Sequence, residues 1–196
     1  MVNSYFYYLI LSYLIGSISS AVIICKFLDL PDPRTQGSKN PGATNVLRLG
    51  GKKTAALVLF FDGLKGAVPV FIGDYYGFGL IALTLTVLCA FLGHIFPVFF
   101  RFKGGKGVAT YLGGMIAINL LAGVIFSVIW LLVAKVLKTS SLAALIATAL
   151  SPFYFYLITG DMASTIIIGL ISLFIFYTHR GNVKRLINKE EDVIQS

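Results

Sequence analysis

Two glycine-rich segments of this chain combine accessible backbone N–H donors with cationic side chains. Residues 37–48 read Gly-Ser-Lys-Asn-Pro-Gly-Ala-Thr-Asn-Val-Leu-Arg, and residues 102–110 read Phe-Lys-Gly-Gly-Lys-Gly-Val-Ala-Thr. Glycine lets backbone N–H groups turn towards a ligand, and the guanidinium of Arg48 is a planar fork that suits phosphate. The first segment therefore predicts an anion site, with a solvated loop of turn-forming residues as the open alternative.

The second segment differs from a nucleotide-binding P-loop, because Gly107 stands where Ser or Thr should follow the lysine. Lys103 and Lys106 flank a pair of glycines at the predicted start of a helix. Helix N-termini attract anions through their free N–H groups and the helix dipole. An anion site is therefore favoured here over a plain connecting loop.

Other polar residues at the ends of apolar runs add candidates. A Lys-Thr-Ser-Ser cluster at 138–141 supplies further donors. His179 follows the last apolar run, where a general base, a phosphate donor and a helix cap are all open roles. We expect His94 to be a structural or interfacial residue and not a catalyst. Asp62 and Lys65 lie three apart inside an apolar run and share a helix face, which indicates an ion pair beside the site.

Several chemistries lack their usual sequence signals. The chain contains no Gly-x-Ser-x-Gly elbow and no His and Cys spacing typical of a metal site. Cys25 and Cys89 lie in or beside apolar runs without a base nearby in sequence, so no disulfide framework is indicated. We therefore predict neither a covalent enzyme intermediate nor a metal or other cofactor.

The composition assigns the chain to a class of membrane protein. Apolar residues make up 57% of the 196 residues, charged residues 12%, and the mean hydropathy is +0.87. The long apolar runs lack the two-residue alternation of a barrel, so we predict an all-α polytopic membrane protein with a single domain, residues 1–196. The net charge of +8 comes from short loops between the runs and does not indicate nucleic acid as a partner.

The length of each apolar run indicates whether it can span a membrane, because a spanning helix needs roughly 20 residues. Runs that predict single spans are 5–25, 54–72, 78–100, 142–158 and 163–178. The first run has no Lys or Arg before it, which favours a retained span over a cleavable signal.

The run from 108 to 134 fits either one tilted span or two short ones. Two crossings with a turn between Gly113 and Gly123 would put every basic loop on one side, in agreement with the positive-inside rule. We therefore predict seven spans, with the N-terminus outside and the C-terminus in the cytoplasm. Helices of about 14 residues would reach only about 21 Å, so at least one should be short, tilted or partly buried in protein.

Taken together, the polar segments resemble the PlsY family of bacterial membrane glycerol-3-phosphate acyltransferases, which use acyl phosphate. The match rests on residues 37–46, residues 93–99 running into 103–110, and His179 with Asn182. The resemblance implies transfer of a fatty acyl group from acyl phosphate to the C1 hydroxyl of glycerol-3-phosphate. The products would be lysophosphatidic acid and phosphate, in phospholipid biosynthesis. It also implies the bacterial inner membrane, with the active site at the cytoplasmic face.

The resemblance further implies a role for individual residues. The phosphate of glycerol-3-phosphate would be bound by Ser38, Arg48 and Lys106. The acyl phosphate would be surrounded by Thr44, Asn45, Gly104, Gly105 and Ser141. The catalytic candidates are His179 and Asn182, while Asn40 and Gly42 would shape the loop. Either His179 or an oxygen of the acyl phosphate would accept the hydroxyl proton, and both assignments stay open.

The expected partners are the two substrates and membrane lipid, and transient contact with a soluble acyl-phosphate-forming enzyme is left open. The alternative function is a membrane transporter of a phosphorylated or other anionic metabolite, which cationic loops and intramembrane charges would also suit. Transporters commonly consist of paired repeats. No repeat relates the two halves of this sequence, which favours the enzyme. A non-catalytic scaffold would leave the dense donor loops unexplained.

Overall fold

A computed structural model describes the backbone of residues 2–193 and the side chains of residues 5–193. Within that range the chain is helical, and no strand interrupts it, which confirms the predicted all-α class. The helices of this range are α1 (Val2–Gly16), α2 (Ser20–Phe27), α3 (Ala43–Tyr75), α4 (Leu80–Ile95), α5 (Val108–Ile118), α6 (Leu120–Leu137), α7 (Ser140–Thr159), α8 (Met162–Thr178) and α9 (Arg180–Ile187), with a short 3₁₀ helix at Val98–Phe100.

Five helical stretches of the described chain are long and apolar enough to cross a membrane. They are Tyr5–Phe27, Ala43–Tyr75, Leu80–Phe100, Leu120–Leu137 and Ser140–Thr159. A sixth results if α8 and α9, which meet at 58°, are counted as one bent span. The multi-pass membrane class is thus confirmed, whereas the count of seven and the orientation of the termini stay predictions.

The run that was open to one or two crossings folds as a helical hairpin. Its break is at Asn119, whose side chain accepts a hydrogen bond from Ala122 N at 3.0 Å and caps the start of α6. A Cβ atom on Gly123 would meet the backbone of Ile116, seven residues earlier. Those residues would lie about 10 Å apart along a straight helix, so the chain reverses, as predicted. The halves are unequal: α5 has 11 residues and α6 has 18.

The first polar loop ends earlier than the sequence indicated. The predicted span 54–72 would place the end of this loop at Lys53, but α3 begins at Ala43. The two lysines at 52 and 53 suggested a loop, yet they follow a kink at Gly51, which has φ +75° and ψ −177°. Glycine tolerates this left-handed φ. The kink therefore separates a short amphipathic helical segment, which includes Arg48, from the apolar part of α3.

Small residues bring the helices into close contact around the second polar loop. A Cβ atom on Gly66 would collide with the backbone of Thr110, and one on Gly113 would collide with the backbone of Gly63. Such residues allow two helix backbones to approach closely in a membrane bundle. They fix the first turns of α5, and with them the preceding loop, against the middle of α3.

Candidate active site

A cavity of about 350 Å³ opens where the two glycine-rich loops meet the last helices. Loops and helix ends supply most of its polar lining: Ser38, Asn40, Gly42, Thr44, Arg48, Lys106, Ser140, Ser141, His179, Asn182, Arg185, Glu191 and Asp192. Helix interiors supply its apolar lining: Leu59, Leu112, Phe126, Trp130, Leu131 and Ala144. One chamber thus joins a region lined by charged and polar groups to a region lined by apolar side chains.

The sequence-predicted site residues lie close together in this chamber, with three exceptions. Those that line the cavity are Ser38, Thr44, Arg48, Lys106, Ser141, His179 and Asn182. Those that lie beside it are Asn45, Gly104 and Gly105. Segments from 38 to 182 therefore meet in one place, although they are far apart in the chain.

Asn45 holds the first loop in shape instead of facing the cavity. Its Oδ1 accepts a hydrogen bond from Ser38 N at 3.0 Å, and its Nδ2 donates to Pro33 O at 2.9 Å and Gln36 O at 3.0 Å. The side chain is only 1% exposed. The amide is thus engaged in turning the loop, and its contact with acyl phosphate stays a prediction. Asn40 and Gly42, predicted to shape the loop, also line the cavity, and Gly42 N donates to Asn40 O at 3.0 Å.

The second loop lies directly on His94. Gly105 N donates to the main-chain oxygen of His94 at 3.2 Å, and a Cβ atom on Gly104 would collide with that same oxygen. Gly107 has φ +86°, and a Cβ there would meet the ring of Phe91. Residues with a side chain therefore cannot replace Gly104 or Gly107 without a collision. Neither Gly104 nor Gly105 lines the cavity, so contact of either residue with a substrate stays a prediction.

Lys106 extends from this loop across the cavity. Its Nζ donates to Asn182 Oδ1 at 2.5 Å, and its main-chain oxygen accepts from Thr178 Oγ1 at 3.2 Å. Burial lowers the pKa of Lys106 to about 8, with Arg185 and Arg48 acting in the same direction and a nearby carboxylate opposing them. An ammonium held with so little solvent around it is well suited to pair with a phosphate.

His179 lies at the bend between α8 and α9 and is 3% exposed. Its Nδ1 is 2.8 Å from Ile175 O, and because a carbonyl only accepts, Nδ1 carries the proton of the neutral ring. Burial and the charge of Lys106 lower the pKa of His179 to about 4. The ring therefore caps the helix end while neutral, and its Nε2 is an acceptor.

The tail beyond α9 closes the cavity with acidic side chains that the sequence analysis missed. Glu191 accepts from Ser141 Oγ at 2.7 Å, Asn182 Nδ2 at 2.5 Å and Arg185 Nε at 2.7 Å. Burial would raise the pKa of Glu191, but these hydrogen bonds and the guanidinium lower it. Three consecutive acidic residues, 190–192, in an otherwise basic tail were the available signal.

Comparison with known proteins agrees with this geometry. A family model described as glycerol-3-phosphate acyltransferase matches residues 6–189. The chain belongs to the glycerol-3-phosphate acyltransferase family. The protein of that name from Ruthia magnifica is 61% identical over 95% of this chain and 94% of its own length. The one from Hydrogenovibrio crunogenus is 50% identical over 94% and 88%.

Two solved structures share the fold. They are crystal structures of PlsY, an integral membrane glycerol-3-phosphate acyltransferase. The glycerol-3-phosphate form has a TM-score of 0.93 at 38% identity and covers 98% of this chain and 96% of that chain. The lysophosphatidic acid form has a TM-score of 0.91 at 36% identity, with the same coverage. The predicted membership of the PlsY family and the acyltransferase activity are thereby confirmed.

Proposed function

We propose that this protein transfers a fatty acyl group from acyl phosphate to the C1 hydroxyl of glycerol-3-phosphate. The observation that supports this most strongly is the composite chamber, in which Arg48 and Lys106 face a space that continues between apolar side chains. Phosphoryl groups suit the cationic part, and a fatty chain suits the apolar part. The solved PlsY relatives, in glycerol-3-phosphate and lysophosphatidic acid forms, support the same acceptor and product.

Ser38, Arg48 and Lys106 are proposed to bind the phosphate of glycerol-3-phosphate. Arg48 Nη2 pairs with Asp192 at 3.0 Å, and Lys106 pairs with an amide oxygen. A phosphate can replace the amide oxygen on Lys106, because charge-assisted hydrogen bonds to its oxygens are stronger than those of a neutral acceptor. It can also replace Asp192 on Arg48, because an ion pair between exposed side chains is weak. Thr44 and Ser141 are proposed to donate to the acyl phosphate.

In the proposed reaction, the C1 oxygen forms an ester bond to the acyl carbon as the carbon–oxygen bond to phosphate breaks. Phosphate leaves with the bonding electron pair. The ammonium of Lys106 and the Nδ2 group of Asn182 would stabilise the negative charge that develops on the carbonyl and phosphate oxygens. Holding both substrates in one chamber supplies further acceleration through proximity.

The hydroxyl proton is proposed to pass to an oxygen of the acyl phosphate. His179 is the competing acceptor, but its pKa of about 4 makes it a weak base, whereas the phosphate oxygens become more basic as the carbon–oxygen bond to phosphate breaks. His179 would then orient the reactants through Nε2. If so, H179Q should lower kcat and leave the shape of the pH profile between about 3 and 8 unchanged, a window that includes the His179 pKa of about 4. Loss of an ionisation in that window would assign the proton to His179.

The active site is proposed to lie at the cytoplasmic face of a bacterial inner membrane. The hairpin of α5 and α6 returns the chain to the side from which it came, so residues 103–106 and 135–138 share one side. Clustered lysines favour the cytoplasm. At 1.5 Å per residue, α5 is about 16 Å long and α6 about 27 Å, which sets the second loop about 10 Å deeper than the end of α6.

The donor is tested with purified protein in lipid vesicles that is given radiolabelled glycerol-3-phosphate and one acyl donor at a time. We expect labelled lysophosphatidic acid from acyl phosphate, and none from acyl coenzyme A or acyl carrier protein. The K106M variant in identical vesicles is the control for contaminating activity. Product from a thioester in the absence of acyl phosphate would contradict the proposed donor.

A further inference from the structure

A network of buried polar side chains lies beside the second glycine-rich loop, and two of its members, Asp62 and His94, also line the cavity. Asp62 is 2% exposed, and its Oδ1 lies 2.8 Å from Lys65 Nζ and 3.6 Å from His94 Nδ1. The same oxygen accepts a hydrogen bond from the hydroxyl of Ser20. Three helices, α2, α3 and α4, therefore meet at one carboxylate oxygen. Intramembrane charges are costly unless paired, so their position calls for an explanation.

The ion pair itself is well satisfied. Besides Asp62, Lys65 Nζ donates to Ile18 O at 2.9 Å, in the break between α1 and α2. The observed geometry agrees with the structural ion pair that the sequence predicts beside the site. A pair that only joined α2 to α3 would not require His94 on the same carboxylate.

His94 connects this network to the loop. Its Nδ1 lies 3.2 Å from Thr110 Oγ1, in the first turn of α5. Its main-chain oxygen accepts from Gly105 N, and a Cβ atom on Gly105 would collide with ring atom Nε2. One ring nitrogen is thus shared between Thr110 and Asp62, and the other faces the loop. The contacts run from Asp62 through His94 to Gly105, one residue before Lys106.

We infer that Asp62, His94 and Thr110 form a positioning cluster that fixes the second loop and thereby the ammonium of Lys106. The inference rests on the proposed role of Lys106 as a ligand of the glycerol-3-phosphate phosphate. Glycine-rich backbone has little conformational preference of its own, so residues 104–107 need external support to keep one path. Small displacements of a binding group are costly, and supporting residues prevent them.

The test uses a substitution that removes one hydrogen bond and little volume, T110V. A displaced Lys106 weakens ground-state binding of the acceptor, so we expect the KM for glycerol-3-phosphate to rise about tenfold. The KM for acyl phosphate should change less than twofold. T110S, which restores the hydroxyl, should return the KM to the wild-type value. A role in folding alone would lower the active fraction and hence the apparent kcat, and would leave the KM unchanged.

The matched control is T84V, because Thr84 is also fully buried and, among the residues that the structure describes, its hydroxyl bonds only to Leu80 O and Ile81 O of its own helix. It should leave both KM values unchanged. The double variant D62N with K65M removes both charges, keeps an acceptor for Ser20, and should also raise the KM for glycerol-3-phosphate. An unchanged KM in both T110V and the double variant would overturn the inference.

K106M in the same assay separates this inference from the proposed function. A large rise in the KM for glycerol-3-phosphate in K106M, with no change in T110V or the double variant, would overturn the positioning role alone. An unchanged KM in K106M would overturn the phosphate-binding role of Lys106 and the positioning role with it.

Discussion

The two glycine-rich segments each present one cation to the cavity, Arg48 near the start of α3 and Lys106 in a loop, but they are anchored differently. The first loop is held locally, by the amide of Asn45 bonding to residues up to 12 positions away. The second is held by residues of other helices: His94 near the end of α4 and Thr178 at the end of α8, the latter 72 positions away from Lys106. The exposure of the cations differs too: Arg48 is 42% exposed, whereas Lys106 is mostly buried. A buried cation is less screened by water, so the second loop should dominate acceptor binding.

The largest effect should come from removing the buried cation. We expect K106M to lower kcat/KM for glycerol-3-phosphate by about a thousandfold, because a charge-assisted contact is lost in a site with little water. K106R, which keeps the charge but changes the shape, should recover part of that loss. Steady-state kinetics in vesicles measures both. A loss in K106M smaller than that in R48Q would reverse the ranking of the two loops.

Breaking the local anchor of the first loop should have the next largest effect. N45L has similar volume but leaves the N–H of Ser38 and two loop carbonyls without their partner, at about 1–3 kcal/mol each. We expect the thermal midpoint to fall and the KM for glycerol-3-phosphate to rise by roughly tenfold.

The matched control for the anchor is N119L, which removes the cap at the start of α6. It should lower the thermal midpoint and leave the KM unchanged. If N119L raised the KM as much as N45L, the effect at Asn45 would be one of general stability.

The pH dependence should distinguish the two cations. Lys106 loses its proton above its pKa of about 8, so kcat/KM for glycerol-3-phosphate should fall as the pH rises through 8. The substrate phosphate is fully ionised there, since its second pKa is about 6, and does not contribute. K106R should abolish the fall, because a guanidinium stays charged in this range. A wild-type profile that is flat from pH 7 to 9.5 would show that Lys106 does not titrate as its burial predicts.

The smallest effect should come from freeing the exposed cation. In D192N, Arg48 loses its carboxylate partner, and the KM for glycerol-3-phosphate should fall by about two- to threefold at low salt. The effect should disappear at about 0.5 M salt, where exposed charges are screened. E190Q removes the same charge two positions earlier and is the control. An equal fall in E190Q would attribute the change to net charge.

Much of this arrangement could be predicted from the sequence. Glycine density and cation spacing indicated both loops, and the charge distribution indicated a hairpin between residues 108 and 134. Motif resemblance then supplied the residues that line the cavity. These signals are local, or depend on composition.

The remaining features depend on contacts between distant residues. Nothing in the local pattern shows that the Asn45 amide is used in shaping its loop, or that His94 supports Gly105. Glu191 lines the cavity because the chain bends at His179, and no residue spacing predicts that bend. Helix ends were also misjudged where lysines follow a kink, as at Gly51, because charge resembles a loop signal although the backbone is helical.

Arg48 of α3 and Lys106 of the second glycine-rich loop are proposed to bind one phosphate together. Solid-state NMR distance measurements between the phosphorus of bound glycerol-3-phosphate and ¹⁵N-labelled lysine and arginine side chains test it directly. We expect Lys106 Nζ and a guanidinium nitrogen of Arg48 both to lie within about 4.5 Å of the phosphorus, as hydrogen-bonded pairs require. K106R and R48K assign the signals. A phosphate close to only one of the two nitrogens, or to neither, would contradict the claim.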